Sequence, residues 1–192
     1  MIIAIASGKG GTGKTTIAVN LAVAGKNTQL IDCDVEEPNA HLFLKPEINY
    51  SETVYSMVPR INSDKCTYCG ICSKVCEFGA MAVIPPSASG KGSGNVLVYD
   101  SLCHSCGACV VLCPENAVYE EKHEIGAIEK GSGQGVDFVR GKLKIGEIMA
   151  PYLIKSVKKH IDPDKTAILD APPGTSCSVI AAAGGSDYIC LL

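Results

Sequence analysis

Little in this sequence is basic, and nothing in it is long and apolar. Lys and Arg number 17 against 20 Asp and Glu, a formal net charge of -3, so the chain lacks the positive surface that tracks a phosphate backbone. No apolar run approaches the ~20 residues that a bilayer-crossing helix needs. The opening "MIIAIASGKGG" has neither a charged n-region nor a small-residue cleavage pattern. These absences exclude a nucleic-acid coat and a membrane span, and the expected compartment is the cytoplasm. There, 11 cysteines do not read as a disulfide framework, and their spacing is to be read for metal first. The 192 residues, 46% apolar and 19% charged, suffice for a packed core in one domain, or in a medium domain carrying a small one.

The first chemistry-bearing run is "IASGKGGTGKTT", residues 5–16. Ile2 to Ser7 is a short apolar, β-rich stretch. Lys14 to Gly25 reads as a helix with apolar positions at Ile17, Leu21 and Ala24 and a glycine stop. Between them, Gly8, Lys9, Gly10, Gly11, Thr12, Gly13, Lys14 and Thr15 fit G-x-x-x-x-G-K-[ST], with Thr16 following. Glycines let backbone N–H groups converge on a β-phosphate without Cβ clashes, and the helix behind presents its positive end. Lys14 is placed to reach the β and γ oxygens, and the Thr15 hydroxyl to ligate magnesium. A ligand-free glycine turn between strand and helix is the alternative. Two further runs are apolar and end in acids: "TQLIDCDVEEPN" (Thr28 to Asn39), with Asp32 and Asp34, and "TAILDAPPGT" (Thr166 to Thr175), with Asp170. Doubly wound sheets put ligand-facing residues at this carboxyl edge. Strand-end solubilising charges, or a cap for the next segment, are the plainer reading.

"KGGTGKT" resembles the deviant Walker A loop of the MinD, ParA, Mrp and nitrogenase-iron-protein superfamily. The resemblance implies that Lys9 crosses a dimer interface to the other subunit's nucleotide, although a solvated surface lysine would look the same. It also implies that Asp34 is the switch I aspartate orienting the attacking water. Asp170 would hold magnesium at switch II, with Gly174 near the γ-phosphate. An ATP-dependent homodimer, or a heterodimer with a paralogue, is expected.

From about Pro59 to Glu120 an internal duplication appears. "CTYCGICSKVCEFGAMAV" starts at Cys66 and "CHSCGACVVLCPENAVYE" at Cys103, both C-x2-C-x2-C-x3-C with glycine after the second cysteine. This is the bacterial ferredoxin run, in which the fourth cysteine serves the other 4Fe-4S cluster. One cluster then takes Cys66, Cys69, Cys72 and Cys113, and the other Cys103, Cys106, Cys109 and Cys76. Zinc is the competing reading of C-x2-C pairs; two triplets with two remote cysteines suit cubanes better. Cys113 is followed by Pro114 as in ferredoxins, whereas Cys76 is followed by Glu77. "PPSASGKGSGN" (Pro85 to Asn95) reads as an exposed linker. Cys33 and Cys190 read as core residues. Cys177 would lie near the nucleotide and the dimer axis, and a structural role is the plainer reading.

The expected fold is an α/β P-loop NTPase with a mostly parallel, doubly wound sheet. Residues 1–57 form its first part, 58–120 an inserted α+β ferredoxin-like domain with two clusters, and 121–192 its second part. Within "LKIGEIMAPYLIKSVKKHI" (Leu143 to Ile161) an amphipathic helix is expected, with Pro151 in its first turn and Tyr152, Leu153, Ile154, Val157 and Ile161 on its apolar side. The resemblance covers essentially the whole chain. Superfamily members continue past switch II, so an end at "DYICLL" implies a fragment or half of a split protein, with the C-terminal part of the ATPase fold missing. The implied function is ATP binding and hydrolysis that gates electron transfer through the clusters to a redox or iron-sulfur acceptor protein. A Mrp-type cluster carrier and a MinD- or ParA-like organiser with a ferredoxin sensor are the alternatives.

Overall fold

In the computed structural model, which describes residues 1–87 and 94–192, the chain divides into two compact units, 1–54 with 125–192 and 55–124. The first is built on parallel strands β1 (Ile2–Ser7), β2 (Thr28–Asp32), β8 (Thr166–Pro173) and β9 (Tyr188–Leu191), with β7 (Val136–Leu143) beside β2. β1 pairs in parallel with β8 and β9, and β2 with β7 and β8. β6 (Val118–Gly133) runs antiparallel to β7, and the full order is β3-β6-β7-β2-β8-β1-β9, β3 being Glu47–Ile61. The fold is mixed α/β with a mostly parallel central sheet.

The central strands are apolar throughout because both faces are covered. Successive side chains point to opposite faces, and the packing obeys that period. Ala4, Ala6, Ile31, Val139, Ala167 and Leu169 face helices α5 (Ala150–Lys158) and α6 (Cys177–Ala183). Ile5, Leu30, Phe138 and Ile168 face α1 (Lys14–Ala24) and α2 (Ala40–Leu44). Fully buried Phe138 contributes roughly 3 kcal/mol of this second face. The Lys158 ammonium donates to the carbonyls of Ala181, Ala182 and Gly184, and so caps the C-terminus of α6.

Three sequence expectations are corrected. α1 buries Lys14, Ala18, Val19 and Ala22, whereas Ile17 and Leu21 are about 40% exposed: the sheet lies so close that small residues fill the interface. On α5, Leu153, Ile154 and Val157 are buried as expected, but Tyr152 is exposed, one position round from the buried stripe. Cys190, expected in the core, is exposed, as are all four residues of β9.

The second unit holds two short helices, α3 (Ile71–Lys74) and α4 (Ala108–Val111), and an antiparallel pair, β4 (Met81–Ile84) with β5 (Asn95–Val98). Of the expected linker, Asn95 instead opens β5 and pairs with Ile84, and residues 88–93 lie outside the described residues. Among the described residues no helix is long and apolar enough to cross a membrane.

Candidate functional site

The loop between β1 and α1 walls a cleft of about 400 Å³, lined by Gly10, Gly11, Gly13, Lys14, Thr15 and Thr16 and, opposite, by Asp34, Glu37, Asn39, Phe43 and Pro173. Gly11 (φ 75°) and Gly13 (φ 89°) adopt the left-handed conformation that closes the loop onto the helix. Gly8, Lys9 and Thr12 are exposed and do not line the cleft. Lys14 is buried; its ammonium donates to Ser7 Oγ at 3.1 Å and to the Lys9 carbonyl at 3.4 Å, while Ser7 Oγ donates to the same carbonyl at 2.6 Å. These contacts hold the lysine folded back along its own loop.

Three carboxylates gather at the carboxyl ends of β2 and β8. Asp32 and Asp170 are register partners on the paired strands and both are buried. Burial, and then the neighbouring Asp170 carboxylate, push the Asp32 carboxyl up to about 8. Its oxygens accept the N–H groups of Asp34 (3.1 Å) and Ala40 (3.0 Å), so Asp32 pins both ends of the loop carrying Asp34. Burial also raises the Asp34 carboxyl, which the Glu37 N–H and Lys14 partly restore. Asp170 is pushed up to about 6 by burial, with the Thr15 hydroxyl directed at it in partial compensation. Neither Asp170 oxygen completes a hydrogen bond of standard geometry. A buried carboxylate without partners is costly, and a divalent cation beside Thr15 would satisfy it. The residues therefore fit magnesium, which Thr15 and Asp170 would hold. Gly174 donates to the Ser7 carbonyl at 3.0 Å and has φ 99°, which ties the turn after β8 to the start of the loop. Cys33 is fully buried and Cys177 is exposed.

Glu37, Asn39 and Phe43 on the cleft wall carried no motif. The Pro38-Asn39 turn at the edge of the sheet was the available signal for the first two; Phe43 sits on a five-residue helix too short for a periodic pattern.

In the second unit the eight cysteines fall into two sets of four. Cys66, Cys69, Cys72 and Cys113 line one apolar hollow, and Cys76, Cys103, Cys106 and Cys109 another. Each set joins a triplet from one repeat to the fourth cysteine of the other. The backbone repeats with an offset of 37 residues, from Cys66 to Cys103. Tyr68 and Ser105, Gly70 and Gly107, and Gly79 and Asn116 all have positive φ. Gly70 (φ 79°) and Gly107 (φ 71°) are the N-caps of α3 and α4, where the turn that brings the second and third cysteines to one hollow needs a left-handed residue. The exchange is reinforced by a reciprocal pair: Asn62 N–H donates to the Ala117 carbonyl and Tyr99 N–H to the Ala80 carbonyl, both at 2.8 Å.

Backbone N–H groups point at the sulfurs. Ala80 N–H donates to Cys76 Sγ and Ala117 N–H to Cys113 Sγ, each at 3.3 Å, and Ser105 N–H to Cys103 Sγ at 3.4 Å. Burial raises the Cys72 and Cys103 thiols, and burial with the neighbouring Cys103 and Cys106 pushes Cys109 up to about 11. Thiols raised in this way would ionise only on binding a cationic centre, with release of protons. Among the described residues, no group of three or more His, Cys, Asp or Glu side chains is arranged to hold a single metal ion. A zinc ion needs its sulfurs converged at ~2.3 Å. Four cysteines around each apolar hollow are the donor number that an iron-sulfur cubane would take.

The family described as the CobQ/CobB/MinD/ParA nucleotide binding domain matches residues 3–178. The uncharacterized protein MJ0578 of Methanocaldococcus jannaschii is 34% identical over 199 positions, which cover 100% of this chain and 67% of that protein. MJ0579 of the same organism is 31% identical, covering 100% and 68%. A shorter match, 55% identical over 47 positions, covers 22% of this chain and 13% of the iron-sulfur cluster carrier protein of Synechocystis sp..

Proposed function

The chain belongs to the CobQ/CobB/MinD/ParA nucleotide-binding domain family, and from that premise we propose that it is an ATP-hydrolysing iron-sulfur protein whose nucleotide state gates electron transfer through two 4Fe-4S clusters to a partner protein. The observation that carries the proposal is the pair of cysteine-lined hollows in a chain that also has a complete phosphate-binding loop. The P-loop amides and Lys14 bind the phosphates, Thr15 and Asp170 hold magnesium, and Asp34, kept in place by Asp32, orients water. Exposed Lys9 is free of the cleft of its own chain and is assigned to the nucleotide of a second subunit. The clusters supply one-electron transfer, and the N–H···S bonds and apolar walls of the hollows set their potentials.

A second reading, ATP-dependent cluster delivery, has support in the short match to a cluster carrier. All eight ligands come from one chain and close around two hollows, which favours retention over release. Stopped-flow oxidation of the reduced, anaerobically reconstituted protein by a viologen acceptor separates the readings. Gating predicts different rates with Mg-ADP and with a non-hydrolysable ATP analogue. Equal rates, together with ATP-stimulated transfer of iron to an apo-ferredoxin, would replace electron transfer by delivery.

A further inference from the structure

The duplication is not symmetric around its two hollows. Beside the hollow of Cys76, Cys103, Cys106 and Cys109, the rings of Phe78 and His104 stack with centroids 3.6 Å apart and planes inclined by 16°. Phe78 follows Cys76 by two residues and His104 follows Cys103 directly, so the stack clasps the loops of two ligands drawn from different repeats. Both rings line the hollow, and both residues are also exposed, Phe78 by 45%. The pair therefore stands between the hollow and solvent. At the equivalent positions, 37 residues away, the other hollow has Thr67 and Glu115. A hydroxyl and a carboxylate cannot form a ring stack, and each attracts water.

We infer that the Phe78–His104 stack is a roof that closes one cluster site against solvent, and that the Thr67–Glu115 site, which has Tyr68 on its wall but lacks that stack, is the one where chelators, oxygen and acceptor proteins first meet a cluster. The inference rests on the reading of the cysteines as iron-sulfur ligands. Phe78 and His104 are positioning residues: they act by holding the Cys76 and Cys103 loops together.

The test is iron release from the anaerobically reconstituted protein to bathophenanthroline disulfonate, followed by absorbance. Two phases of equal amplitude are expected, the slower by about 2- to 10-fold, the opening penalty that an aromatic stack imposes. Phe78→Ala should speed the slow phase alone. The paired change Thr67→His with Glu115→Phe should slow the fast phase. Should Phe78→Ala not fold, Phe78→Leu keeps the apolar bulk and removes the stack, with the same expectation. Uptake of fewer than about eight irons per chain would defeat the cysteine reading itself. Full uptake followed by single-phase release, or an equal acceleration of both phases in Phe78→Ala, would leave that reading standing and overturn the roof.

Discussion

Replacing Cys113 by Ala tests the crossed ligation more sharply than removing any triplet member. Cys113 belongs to the second repeat in sequence, but it lines the hollow of Cys66, Cys69 and Cys72, where its sulfur accepts the Ala117 N–H at 3.3 Å. A cubane takes four thiolates, so Cys113→Ala should lower iron from about eight to about four atoms per chain by emptying the first-triplet hollow. The double variants carry the discrimination. Cys66→Ala with Cys113→Ala removes two ligands of one site and should retain about four irons, no fewer than Cys113→Ala alone. Cys103→Ala with Cys113→Ala removes one ligand from each site and should retain about none. Ligation within repeats predicts the reverse for these two doubles. Iron and sulfide analysis with EPR of the reduced protein reads the outcome. Four irons in the Cys103, Cys113 double and none in the Cys66, Cys113 double would refute the crossed arrangement.

Lys14→Ala should weaken ATP binding, measured by calorimetry, by at least about tenfold, since a charge-assisted hydrogen bond is worth about 1.5–3 kcal/mol. Phe138→Ala, which empties a fully buried aromatic site, should destabilise the fold by about 3–5 kcal/mol in urea titration. Asp32 and Asp170 hold their protons in the folded state up to about 8 and about 6, against an ordinary 3.8. Their contribution to stability is therefore complete below that ordinary value and is lost as pH rises through about 6 and then about 8. Melting temperature without nucleotide should fall over that window, and Mg-ADP should flatten the Asp170 part by favouring its ionised form; a flat or rising profile in the nucleotide-free protein contradicts the assignment.

Local chemistry made some parts of this fold legible and long-range packing hid others. The loop from Gly8 to Thr15 and the glycines at 70 and 107 are dictated by turns that only certain residues allow, so spacing alone located them. The grouping of Cys76 with Cys103 came instead from the ferredoxin pattern, in which the fourth cysteine serves the other cluster. β7 was invisible for a different reason. "VDFVRGKL" (Val136–Leu143) mixes Asp137, Arg140 and Lys142 into an apolar run, and its hairpin to β6 turns on Gln134 and Gly135 (φ 50° and 78°), not on an Asn-Gly signal. The buried side of α1 was misread because Lys14, a binding residue, lies on it, and because alanines, not Ile17 and Leu21, meet the sheet. Asp32 read from the sequence as an acid at the ligand-facing edge of the sheet, with a cap for the next segment as the alternative. Its hydrogen bonds to Asp34 and Ala40 make it the anchor of that loop, a role that depends on where the chain returns.

Coupling between the phosphate loop and the cysteines is the central claim, and its most direct test is an EPR-monitored redox titration of both clusters with Mg-ADP and with a non-hydrolysable ATP analogue. If nucleotide state gates the clusters, at least one potential shifts by tens of millivolts, about 59 mV for each tenfold change in relative affinity of a one-electron couple. The ratio of analogue to ADP affinity must then change by the same factor on reduction. Potentials identical in the two nucleotide states would contradict the account.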